Sequence, residues 1–92
     1  MKVLWADSAA QNRRDIVEYI ALDDLWAAIQ IDTLSERAVE RLSEHPKLGR
    51  VGSLAGTREL IPHHSYRLIY EISDDQIWIL ALLNTARQWP PE

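Results

Sequence analysis

Residues 77–84 read IWILALLN, with apolar side chains at both alternating sets of positions. Successive residues of a strand point to opposite sides, so a run apolar on both sides is a central strand that needs cover on each face. In a chain of 92 residues there is room for one such core, because a domain must bury roughly 60% or more of its unfolded surface to stand alone. Residues 1–92 therefore read as a single domain.

The rest of the chain supplies the cover. Lys2 to Trp5 is β-rich and suits a short first strand. Ser8 and Gln11 form a capping-box pattern, with Asp7 as a second potential cap, and Ala9, Ile16, Tyr19 and Ile20 recur at helical spacing. This predicts a helix from about Ser8 to Leu22. Asp23 and Asp24 are suited to cap a second helix, in which Leu25, Ala28, Ile31, Leu34, Ala38 and Leu42 form the buried stripe until Pro46 stops it. Trp26 and Ile29 lie off that stripe, marking either a second contact surface or an ordinary wide buried face. PKLGRVGSLAG, residues 46–56, contains all three glycines and predicts a mobile loop.

Beyond the loop, TRELIP alternates. SYRLIYEIS sets Tyr66, Leu68, Tyr70 and Ile72 on one face and Arg67, Ile69 and Glu71 on the other, and SDDQ makes a turn into the central strand. The order β-α-α-β-β-β predicts an α+β fold, a helical hairpin packed on a mostly antiparallel four-stranded sheet. The neighbour of the first strand stays open.

Composition excludes several function classes. There is no cysteine, so disulfides and thiolate metal sites are ruled out, and His45, His63 and His64 lack zinc-ligand spacing. Adjacent residues on a strand also point apart, so no metal or other cofactor is expected. No signal-peptide pattern precedes Trp5 and no apolar run approaches the ~20 residues of a membrane span, so the expected location is cytoplasmic. Net charge is −4, made of five basic and nine acidic residues in 1–44 and five of each in 45–92. Such a chain is a poor general nucleic-acid binder.

Anion chemistry must then rest on a few arginines. Arg58, Arg67 and Arg87 follow spacings that tight turns between adjacent strands can bring to one end or face of the sheet, where an anion or acidic partner would balance them. Arg67 admits two readings: an ion pair with Glu71 or Glu59, or a guanidinium displayed on a rigid strand to grip a phosphate or a partner's carboxylate. His63 and His64 are the general-base candidates of the second half, and as loop histidines they are more often bystanders. No nucleophile-base-carboxylate set and no P-loop can be assembled. Trp89, Pro90 and Pro91 read as a rigid lid over the end of the sheet.

The element order, with EYIA closing the first helix, a HPKLGR loop, then GTREL, YRLIYEI and a final ARQWP, resembles the RelE/ParE family of toxins from bacterial toxin-antitoxin systems along essentially the whole chain. The resemblance implies one of two activities. RelE-like members cleave messenger RNA on the ribosome, whereas ParE-like members block DNA gyrase and are not nucleases. It places Arg67 at the family's central strand arginine and Arg58 and Arg87 at basic positions of the nucleases. Leu60 stands where a nuclease would use a second basic residue, Asn84 stands where relatives often have histidine, and no tyrosine or histidine follows Asn84. Asparagine cannot exchange a proton near neutral pH.

The resemblance therefore implies a growth-inhibiting, plasmid-stabilising toxin that inhibits gyrase through Arg58, Arg67, Asn84 and Arg87. If it is instead a nuclease, Arg58, Arg67 and Arg87 are the catalytic candidates and ribosome and messenger the partners. A cognate antitoxin that folds on binding is expected to wrap the helical hairpin and sheet edge over Trp26 and Ile29 in a hetero-oligomer.

Overall fold

The computed structural model describes residues 1–90, so the expected contribution of Pro91 lies outside the described residues. β1 (Lys2–Trp5) is followed by α1 (Asp7–Ala21) and α2 (Leu25–Glu44), and then by β2 (Arg50–Val51), β3 (Thr57–His63), β4 (Tyr66–Ser73) and β5 (Gln76–Asn84). The strands form one sheet in the order β1-β5-β4-β3-β2. β1 runs parallel to β5, while the other neighbours are antiparallel. The fold is α+β, two helices packed on a five-stranded sheet, and the expected class holds with one strand more than the sequence suggested.

β5 contains the run that is apolar on both faces, and it is hydrogen-bonded on both sides along its first half. Its register against β4 shifts once: Ile69 faces Ala81 but Tyr70 faces Ile79, leaving Leu80 as an extra residue. A bulge of this kind moves the alternation by one position. Consequently Ile77, Ile79 and Leu82 all enter the core beneath the helices with Ala9, Leu42, Leu68 and Tyr70, whereas Ala81 and Leu83 join Ile69 on the opposite face. Near the bulge, the Leu82 N–H is taken by the Asn12 Oδ1 of α1 at 3.2 Å, which satisfies a donor beyond the reach of β1.

Three local expectations are corrected. The capping box does not form: Ala6 is the N-cap and no side chain caps α1. The reason lies in the strand before it, since the Ala6 N–H bonds Ile79 O and brings β1 directly into the helix. Asp24 does cap α2, accepting from the Ala27 N–H at 3.1 Å. Tyr19 and Leu25, expected in buried stripes, are 75% and 66% exposed, one near the end of α1 and the other at the start of α2, on either side of the turn between the helices.

The glycine segment is also less free than expected. Gly49 is buried, its N–H bonds the Tyr70 hydroxyl at 2.9 Å, and that hydroxyl donates to Pro46 O at 2.7 Å. A Cβ on Gly49 would lie 2.7 Å from Glu59 O and 2.8 Å from the Tyr70 ring, so glycine is needed for this close approach. The segment is thereby held flat enough for Arg50 and Val51 to pair with Glu59 and Arg58 as the edge strand β2.

Candidate functional site

The sheet separates the three arginines. Arg58 pairs across the strands with Tyr70, on the helix side, and its guanidinium donates to Gly49 O at 2.8 Å. Arg67 pairs with Leu83 and projects from the opposite face. The expected three-arginine cluster is therefore not formed, because Arg58 and Arg67 differ in strand parity and Arg58 is drawn under the loop carbonyls. Arg67 and Arg87 do come together, though through Arg87's backbone: Arg67 Nη2 donates to the Arg87 carbonyl.

Arg67 is otherwise engaged with Glu59. Its Nη1 lies 2.7 Å from Glu59 Oε1, with side chains 13% and 5% exposed, and its Nε is buried without a hydrogen-bond partner. The ion-pair reading of Arg67 is thus the observed one, with Glu59 and not Glu71 as partner. Glu59 also faces Arg50 at 3.6 Å. Burial pushes the Glu59 carboxyl upward, but Arg67, the Ser53 backbone N–H and Arg50 outweigh it and hold the pKa below its ordinary 4.5. Sequence reasoning weighed Glu59 only as a partner and missed it as a junction. The available signal was its alternation in TRELIP, but only the β3–β4 register places it opposite Ile69 and beside Arg67.

After Asn84 the chain turns back over this face. Asn84 Oδ1 accepts from the Ala86 N–H and Asn84 O from the Arg87 N–H, making a compact turn. Trp89 then packs against the cluster of Ile69, Ala81 and Leu83, and its carbonyl accepts from the Ser53 hydroxyl at 3.3 Å. Residues 85–90 form a strap across the face of the sheet that the helices leave open. Arg87 itself is exposed and lines a depression with Asn12, Asp15, Tyr19, Tyr66 and Asn84 at the end of β5.

A larger groove of about 690 Å³ lies around the corner on the helix side, lined by Ile20, Trp26, Ile29, Leu34, Arg37, His63, Tyr66 and Asn84 among others. Trp26 is 67% exposed there, and with Tyr19, Leu22, Leu25 and Ile29 it makes an apolar surface around the turn of the helical hairpin. His63 and His64 do not point apart. The turn after β3 brings their rings to 4.0 Å between centroids, because His64 has left the strand. Burial first, and the neighbouring His64 charge second, push the His63 pKa below its ordinary 6.5. His63 Nδ1 accepts from the Ser65 N–H at 3.1 Å, which puts the proton of the neutral ring on Nε2. Among the described residues no helix is long and apolar enough to cross a membrane.

Comparison with known proteins follows the same lines. The family model described as "ParE toxin of type II toxin-antitoxin system, parDE" matches residues 3–89. The protein named "Putative toxin Y4kP" of Sinorhizobium fredii is 34% identical over 90 residues, 97% of this chain and 93% of its own. Among solved structures, a chain of "Chromosomal ParDE TA system from P. aeruginosa" superposes with a TM-score of 0.80 at 18% identity, covering 91% of this chain and 95% of that one. "The structure of YoeB dimer from Staphylococcus aureus" gives a TM-score of 0.65 at 14% identity, over 95% of this chain and 98% of that one. At these identities the two structures speak to the fold alone.

Proposed function

Because the chain belongs to the ParE toxins of type II toxin-antitoxin systems, we propose that it arrests growth by inhibiting DNA gyrase and that it is not a nuclease. The observation that carries this reading is His63. It is the histidine that lines the groove beside Asn84, and its free lone pair is already occupied by the Ser65 N–H. A general base needs that lone pair within reach of the proton it removes. Arg67, the other group a nuclease would recruit, has its two terminal nitrogens engaged with Glu59 and Arg87 O.

In this reading Arg87 and Asn84 contact the target from the end of β5. Arg58 and Arg67 act from behind, holding the loop and the strap. A cognate antitoxin neutralises the toxin in the cytoplasm by covering the apolar surface around Trp26 and Ile29, whose exposure is unusual for an unpartnered helix pair. The name of the P. aeruginosa relative, a ParDE system, supports such a partner.

The test is a paired assay on the purified, antitoxin-free protein, following plasmid supercoiling by gyrase and messenger cleavage on translating ribosomes. Lost supercoiling with intact messenger is expected. Cleaved messenger with normal supercoiling would replace this reading by ribosome-dependent endoribonuclease activity.

A further inference from the structure

Among the contacts that hold the strap of residues 85–90 are two side-chain hydrogen bonds to its carbonyls, at Arg87 and at Trp89. The first is Arg67 Nη2 to the Arg87 carbonyl, and the Nη1 of the same guanidinium is held by Glu59 at 2.7 Å. The second is the Ser53 hydroxyl to the Trp89 carbonyl at 3.3 Å. Glu59 is 5% exposed and flanked by Arg50 at 3.6 Å. From this geometry we infer that Glu59 is a positioning residue for the strap: by fixing Arg67, whose other terminal nitrogen holds the Arg87 carbonyl, it sets where Arg87 stands relative to the target.

The inference rests on the proposed target role of Arg87, but its physical content is separate. A planar guanidinium presents its donors in a fixed fork, so the direction in which Nη2 points is dictated by what holds Nη1. Replace the carboxylate by an amide and Arg67 keeps its length, but the charge-assisted contact that orients it becomes a weaker neutral one. The strap keeps the bonds of Thr85 to Ser65 O and His64 O at its start, and toward its end the Ser53 bond and the apolar contact of Trp89 with Ile69, Ala81 and Leu83, while Arg87 between them is less firmly placed. A residue several ångströms from the target can in this way govern how well a contacting residue is placed.

The experiment uses the intact chain and limited trypsin digestion, read by mass spectrometry as the initial rate of cleavage at the Arg87–Gln88 bond against cleavage after Arg14 and Arg37 in the helices. Glu59→Gln is expected to raise cleavage after Arg87 at least tenfold more than cleavage at the two helical sites. An unchanged rate after Arg87 overturns the inference, and so does an equal acceleration at all three sites, since that marks general loosening of the fold. Should the glutamine variant not fold, Glu59→Asp keeps the charge but withdraws the oxygens by one carbon, and the same selective rise after Arg87, at least threefold, is required.

Gyrase inhibition supplies the second arm. Glu59→Gln combined with Arg87→Ala is expected to lose no more activity than Arg87→Ala alone, a non-additivity that a merely structural role would not give. Full additivity overturns the positioning role. A selectively released strap with undiminished inhibition by Glu59→Gln and Arg87→Ala would instead remove Arg87 from the target surface and leave Glu59 as the residue that holds the strap.

Discussion

Arg67 and Arg87 stand in a sequence as two arginines of equal promise, and the fold gives them different jobs. Removing one member of a buried ion pair leaves the other charge unpaired, so Arg67→Ala is expected to destabilise the protein by about 3 kcal/mol or more. Arg87→Ala, at an exposed position, should change stability by no more than about 0.5 kcal/mol while sharply reducing gyrase inhibition. Urea unfolding of the two variants beside the supercoiling assay checks the contrast. Equal stability loss would mean that Arg67 is not engaged as observed. The sequence held the ion-pair reading of Arg67 and named Glu59 as one of two partners. It could not choose, because Glu59 and Glu71 are both reachable until the β3–β4 register puts Glu59 opposite Ile69 and Glu71 opposite Thr57. Nor could it show that Arg58 lies on the other face, since a single step of register reverses every side chain of a strand.

At the scale of elements, the helices and the strands β3 and β4 were legible because each is written in a period, 3.6 or 2, that one buried face imposes, and β5 because it is apolar on both faces. What escaped was held by contacts between distant segments. β2 exists because Tyr70 and Arg58 grip the backbone around Gly49, and nothing in PKLGRVGSLAG announces either partner. Tyr70→Phe leaves Gly49 N–H and Pro46 O without the hydroxyl that now serves both, and is expected to destabilise by about 2 kcal/mol. Gly49→Ala should cost about 1–3 kcal/mol by overpacking against Glu59 O and the Tyr70 ring. Both variants should lose amide protection at Arg50 and Val51 before the rest of the sheet, which hydrogen exchange would show. Protection retained there would place the grip elsewhere.

For the molecule as a whole, acid should act in two stages. The folded His63 has a pKa below 6.5, so the unfolded chain binds its proton more readily. Its contribution is complete above about pH 6.5 and is lost as the pH falls toward the folded value. The folded Glu59 lies below 4.5, so its contribution is complete above that pH and disappears as the pH falls through the folded value. Urea midpoints between pH 7.5 and 3 should decline accordingly, with Glu59→Gln lacking the lower stage; a lower stage that persists in that variant would assign it to other carboxylates. The apolar end of the hairpin carries a further expectation. Trp26→Ala with Ile29→Ala should weaken antitoxin binding by about 2 kcal/mol or more, roughly thirtyfold in Kd by titration calorimetry, and unchanged affinity would move the antitoxin to another surface.

The parallel pairing of β1 with β5, Lys2 with Gln76 through Trp5 with Ile79, joins the first strand to the last. A ribosome issues these strands in order, at roughly 5–20 residues per second. For seconds, therefore, the nascent chain carries a strand whose mate has not been made, and neither the sheet nor the strap that bears Arg87 can assemble. In the reading proposed above the nascent chain is inert toward its target until β5 and the strap have been made, and an antitoxin already present in the cell has that interval in which to be waiting.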